Sequence, residues 1–196
     1  MRVYLVRHAS HSLLGRVLCG RAIDVGLNAE GCREARALGD YFARERVDVL
    51  QASPRRRAVE TAQMIAARVR CEMQIAPAFE EHDAGEWAGR DFAALARDPR
   101  WGAWNEQRGA MRPPGGETMD ELQQRVVDHI ERLRTSGIKD AVIVSHAEPI
   151  RAAVMHYRGI AFDDFHRVEI APASITLLQM TPNTVDVSTI SIMEPA

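Results

Sequence analysis

The chain opens on Arg2-Val3-Tyr4-Leu5-Val6-Arg7-His8, four apolar or aromatic residues that stop abruptly on a basic pair. An uninterrupted run of this kind suits a strand buried on both faces. The same design recurs twice. Val47-Asp48-Val49-Leu50 leads to Ser53-Pro54-Arg55-Arg56-Arg57, and Ala141-Val142-Ile143-Val144 leads to Ser145-His146. Helical stripes lie between these runs. Asn28 is a candidate N-cap ahead of Cys32, Ala35, Leu38, Gly39 and Phe42. Pro54 suits a first helical turn directly after Ser53, and Ala58, Thr61, Ala62, Ile65, Ala66 and Val69 then fall on one face. Met119, Leu122, Val126, Ile130 and Leu133 mark another helix, stopped by Gly137, and a further helix is expected near 149–158. Glu72 to Ala76 is a weaker strand. Residues 174–180 and 184–193 read as two strands antiparallel to each other, with Pro182-Asn183 as the turn. Strands alternating with helices predict an α/β fold with a mostly parallel sheet.

The 196 residues are expected to form a single domain, 1–196, with 46% hydrophobic and 27% charged residues. The formal charge of −2 offers no reason to expect nucleic acid or a membrane surface as partner, so an anion site must be local. No run approaches the ~18 apolar residues of a transmembrane helix, and no secretory apolar segment precedes Arg7. Cys19, Cys32 and Cys71 are odd in number and scattered, which points to a reducing cytoplasm. The segment 77–117 is irregular, contains Trp87, Trp101 and Trp104 and the break Pro113-Pro114-Gly115-Gly116, and is expected to be a lid or insertion. The tryptophans are expected to pack that insertion.

Ligands of open α/β sheets bind beyond the carboxyl ends of the strands. If the three runs are neighbours, His8, His146 and several arginines converge there. Such a constellation suits phosphoryl transfer, which needs fixed cations around the equatorial oxygens and a nucleophile in line. Arginine supplies a planar fork that matches those oxygens.

Five stretches, in order, resemble the signatures of the histidine phosphatase (phosphoglycerate mutase-like) superfamily. They are Leu5-Val6-Arg7-His8-Ala9, Ser53 through Ala62, Glu81-His82-Asp83-Ala84-Gly85-Glu86-Trp87-Ala88-Gly89, Pro114-Gly115-Gly116-Glu117-Thr118, and Val144 through Arg151. The likeness spans roughly residues 2–180. It implies a three-layer αβα sandwich and a metal-independent phosphomonoesterase of the phosphatase branch, acting on a small phosphorylated metabolite without a cofactor. Under this resemblance His8 is the nucleophile that becomes phosphohistidine, and Arg7 and Arg57 hold the phosphoryl oxygens. His146 adds a donor to the same oxygens, and Glu81 is the general acid. Arg21 resembles a further substrate-side cation.

The spacing to Gly85 and Trp87 selects Glu81 over Glu80. Of the three consecutive arginines at least one must face solvent, and the motif singles out Arg57, leaving Arg55 as a solvated neighbour. His11 and His82 are expected to be bystanders or substrate contacts. No metal site is expected, since no helical i, i+4 His pair or Cys cluster is present. The chain departs from the family pattern in four places. Ala9 stands for the usual glycine, Leu14 for a phosphate-contacting asparagine, His11 near a usual Ser or Thr, and Ala147-Glu148-Pro149 for a glycine-containing run. Two other readings stay open: a phosphoglycerate mutase-type isomerase, and a binding module without turnover. A homodimer is compatible with the sequence.

Overall fold

The computed structural model describes residues 1–190. In chain order it contains β1 (Arg2–Arg7), α1 (Ala29–Phe42), β2 (Val49–Ala52), α2 (Arg56–Ala66), β3 (Met73–Ile75), α3 (Phe92–Leu95), α4 (Pro99–Glu106), α5 (Met119–Thr135), β4 (Asp140–Ser145), α6 (Ala147–Arg158), β5 (Ile175–Met180) and β6 (Val185–Ile190). The strands form one sheet in the order β3-β2-β4-β1-β5-β6. The first four are parallel, and β5 runs antiparallel to both β1 and β6. The expected last strand, 184–193, is seen to Ile190; residues 191–193 lie outside the described residues.

Side-chain alternation along the central strands divides the core into two layers. Val3, Leu5, Ala141 and Ile143 face α5, α6 and the insertion, whereas Tyr4, Val6, Val142 and Val144 face α1 and α2. The sheet is therefore covered on both sides, as an α/β sandwich requires. No helix among the described residues is long and apolar enough to cross a membrane.

Register sets the site. Arg7 pairs with Ser145 across β1 and β4, and Ala52 pairs with Val144 across β2 and β4. The ladder continues one residue further, with His8 N–H donating to Ser145 O (2.8 Å) and Ser53 N–H to Val144 O (2.9 Å). His8, Ser53 and His146 thus leave the sheet together.

Three boundaries differ from expectation, each for a local reason. The strand read at 47–50 begins at Val49, because Asp48 turns its carboxylate onto the N–H groups of Lys139 and Asp140. Helix α2 begins at Arg56 and not directly after Ser53, whose hydroxyl bonds His146 instead of capping. Helix α6 starts two residues early at Ala147. Pro149 sits in its first turn, where a missing N–H removes no helical bond.

Within the insertion, two signature stretches meet through glycines. A Cβ on Gly85 (φ +53°) would lie 2.1 Å from Pro114 O, and one on Gly116 would lie 2.2 Å from Asp83 O. Only glycine lets these backbones touch, with Glu86 N–H donating to Pro114 O and Glu117 N–H to Asp83 O, both at 2.9 Å. Glu117 then accepts from Asp83 N–H (2.9 Å), Arg21 (2.8 Å) and Arg125 (2.6 Å), fixing the segment that carries Glu81. Thr118 closes the stretch with a capping box to Glu121. The three tryptophans pack on one another, with ring centroids 5.2–5.6 Å apart.

Candidate active site

A cavity of about 240 Å³ opens at the carboxyl ends of β1 and β4. Arg7, His8, Arg57 and Glu81 line it, together with His11, Leu14 and Cys19 from the long loop after β1. His8 is buried, and its Nδ1 lies 2.9 Å from Ala9 O. A carbonyl can only accept, so Nδ1 carries the proton and Nε2 keeps its lone pair. Burial, reinforced by Arg57 and Arg7, pushes the His8 imidazole well below its usual range, so it is neutral. Ala9, in place of the family's glycine, is fully buried and donates its N–H to Thr61 Oγ1 at 3.0 Å. Its φ is not positive, so the alanine is accommodated without backbone strain.

Arg57 is buried and donates to the carbonyls of Gly20 (3.0 Å) and Ile23 (3.4 Å), and Arg7 donates to Ile170 O (2.7 Å). Among the described residues neither guanidinium is ion-paired and Arg7 Nε has no partner. One buried and one partly buried cation, neither ion-paired, beside a neutral imidazole make a site that favours an anion. His146 is fully buried behind His8, their ring centroids 5.2 Å apart. Its Nε2 bonds Ser53 Oγ (2.7 Å), while Nδ1 is unpartnered and stands 3.8 Å from Glu81 Oε2. The Glu81 side chain is 16% exposed. Burial raises its pKa above the ordinary carboxyl value against the pull of Arg57, which favours the protonated acid.

Arg21, expected as a substrate-side cation, does not line the cavity. Its guanidinium is bound to Glu81 O (2.7 Å), Glu117 (2.8 Å) and Asp83 (3.6 Å), so the loop uses it to hold the Glu81 segment. Arg55, expected as a solvated neighbour, is partly buried, ion-paired with Glu80 and bonded to Arg21 O (2.9 Å). Arg56 is the exposed member of the three, paired with Glu60 at 2.7 Å.

Three residues gain importance in the structure. Leu13 N–H donates to His11 Nδ1 (3.3 Å), which leaves Nε2–H as the donor on a ring 5.3 Å from His8. Burial, then Arg57 and Arg7, lowers the His11 pKa to about 4, so this donor is neutral. Glu148 also lines the cavity. Arg108 and Arg151 overcome the burial that opposes its charge and hold its pKa at about 2. Arg108 is its buried partner, at 3.1 Å. Among the described residues no group of three or more His, Cys, Asp or Glu is arranged to hold a metal ion.

The model of the histidine phosphatase superfamily (branch 1) matches residues 3–192. The chain belongs to that superfamily. It is similar to the phosphoserine phosphatase 1 of Hydrogenobacter thermophilus, with 28% identity over 92% of this chain and 87% of that protein. It is also similar to a 2,3-bisphosphoglycerate-dependent phosphoglycerate mutase of Cytophaga hutchinsonii, 25% identical over 97% of this chain and 92% of the mutase. The solved structure of Bacillus stearothermophilus YhfR superposes with a TM-score of 0.90 over 98% of this chain and 99% of that one, at 20% identity, so the fold is shared. Within the histidine phosphatases, the chain is a phosphoric monoester hydrolase.

Proposed function

We propose that this histidine phosphatase cleaves small phosphomonoesters through a phosphohistidine on His8, with no metal ion. The observation that carries the reading is the tautomer of His8: Nδ1 is tied to Ala9 O, and Nε2 is unprotonated beside two uncompensated arginines. In the first step Nε2 attacks phosphorus, the phosphorus–oxygen bond to the alcohol breaks, and Glu81 protonates the leaving oxygen. Arg7 and Arg57 hold the equatorial oxygens, and neutral His146, its Nδ1 3.8 Å from Glu81 Oε2, supports the position of that carboxyl. In the second step water attacks the phosphohistidine, the Glu81 carboxylate takes its proton, and orthophosphate leaves. Arg21 acts at one remove, by positioning Glu81.

The experiment is orthophosphate release after exhaustive chelation, together with acid-labile trapping of the phosphoenzyme. Activity is expected to survive EDTA, since the arginines supply the charge a metal would provide. Loss with EDTA and recovery with a divalent ion would overturn the metal-free route.

Arg57→Ala is expected to lower kcat by about 10²–10³, the scale for removing one preorganised transition-state donor. Arg56→Ala is expected to remain within about twofold of the parent. The opposite ranking would place the phosphoryl group elsewhere. His11 takes over the contact that Leu14 cannot make: its Nε2–H faces the cavity next to His8. His11→Phe is expected to weaken inhibition by orthophosphate roughly tenfold or more, consistent with about 1.5–3 kcal/mol for a hydrogen bond to a charged group. Unchanged inhibition would remove His11 from the phosphate pocket.

A further inference from the structure

A second cavity, of about 130 Å³, adjoins the first beneath the insertion. Resting on the phosphatase reading above, we propose that it seats the leaving alcohol and selects a flat, mainly apolar body the size of one ring.

Continuity is the first argument. Glu81 and Glu148 line both cavities. An ester with its phosphoryl group on the His8 side and its alcohol on the insertion side therefore straddles Glu81, where the leaving oxygen needs its proton.

Size and shape are the second. An apolar protein cavity of about 150 Å³ holds one benzene molecule, so this one admits a single ring or a chain of similar bulk. Ala84, Phe92, Trp101 and Trp104 are among the residues of its apolar wall. The walls are preorganised: Trp104 packs on Trp87 and Trp101, and His82 stacks on its ring with planes 13° apart. The polar residues on the wall are engaged with the protein, Glu148 with Arg108 and Arg151, Glu81 Oε1 with His82 N–H and His82 Nε2 with Glu117 O, so a polyol would lose its water here with few free groups to replace it.

Charge is the third. The one arginine on this wall, Arg108, is 5% exposed and held between Phe165 and Trp104, 3.6 and 4.3 Å from the ring centroids. Its charge is neutralised by Glu148 (3.1 Å) and it also bonds Asn105 (2.7 Å), leaving Nε as its one unpartnered buried nitrogen among the described residues. Unlike Arg7 and Arg57, it therefore offers no uncompensated charge to a second anion. The cavity sorts by bulk and flatness.

The test compares kcat/KM for ethyl, benzyl and 2-naphthylmethyl phosphate in the parent, Ala84→Leu and Trp101→Ala proteins. The parent is expected to favour benzyl over ethyl phosphate by at least tenfold, the low end of what one apolar group gains in a fitted pocket. Ala84→Leu fills the cavity and is expected to reduce that ratio at least tenfold. Trp101→Ala enlarges it and is expected to raise the naphthylmethyl-to-benzyl ratio at least tenfold. Trp101 is only partly buried, so this variant decides the matter should Ala84→Leu fail to fold. A parent ratio near one, or ratios that the variants do not move, overturns the proposal and leaves the phosphatase reading intact. So does a ratio that responds only to Leu14→Asn, on the other side of Glu81. The phosphatase reading fails separately, if the folded parent releases orthophosphate from none of the three esters or from p-nitrophenyl phosphate.

Discussion

His8→Ala is expected to yield a folded protein with no measurable turnover and no acid-labile phosphoenzyme. The side chain is buried, yet its ring faces a cavity and not the packed layers, so its removal deletes the nucleophile and leaves the sheet register intact. No neighbour can take its place. The His146 ring is held behind it by Ser53, and the lone pair of His11 is occupied by Leu13 N–H. The loss should therefore reach the detection limit, as when a covalent route is removed altogether. Circular dichroism and a rapid-quench assay with a ³²P-labelled ester would check both halves of the expectation. Parent-like rates in the folded variant would demand a different nucleophile.

Glu81→Gln is expected to lower the first-turnover rate on an alkyl phosphate by about 10²–10⁴, the usual scale of general acid catalysis. On p-nitrophenyl phosphate, whose leaving group needs no proton, the single-turnover burst should be far less affected. Equal losses in the burst on both esters would reject Glu81 as the acid. The pH profile should carry the same signature. Burial lowers the His8 pKa and raises that of Glu81, so nucleophile and acid are both in their working forms in mildly acid solution. Activity on alkyl esters should persist below the ordinary imidazole range and fall as pH rises through the elevated Glu81 value. The stability of the protein should move in the complementary sense. A carboxyl whose folded pKa is raised contributes its full stability below its unfolded value and loses it as pH rises through the folded one. Glu81→Gln, which never ionises, should therefore gain stability over the parent on the alkaline side, measurable as Tm against pH.

The main elements were legible because the central strands are apolar without interruption and the helices carry clean stripes. The convergence of His8, His146 and Arg57 was legible for the same reason, since each follows a strand or opens the helix after it. Loop side chains were not. Nothing in the spacing around Arg21 reveals that Asp83 and Glu117, more than sixty residues away, will claim its guanidinium. The reading of Arg55 missed Glu80 in the same way. His11 needed the Leu13 N–H to reveal which nitrogen it presents, and Glu148 needed Arg108 from the insertion to explain a partly buried carboxylate in a helix's first turn. In each case the deciding partner is fixed by tertiary contact, which local pattern does not encode.

The two cavities meet at Glu81 but are built from different materials. The floor under the phosphoryl group hangs on hydrogen-bond ladders whose register cannot slip by one residue without inverting every buried side chain. The roof over the alcohol is a patch of short helices and packed indoles, joined to the loop after β1 by one isolated bridge, Val17 to Asp91, and not to the central sheet. An enzyme assembled this way can change its clientele without relearning its chemistry. Random libraries confined to the roof should yield variants with new substrates at a useful frequency, whereas libraries in the floor should yield mostly dead protein. For directed evolution, residues 92–104 are the place to begin.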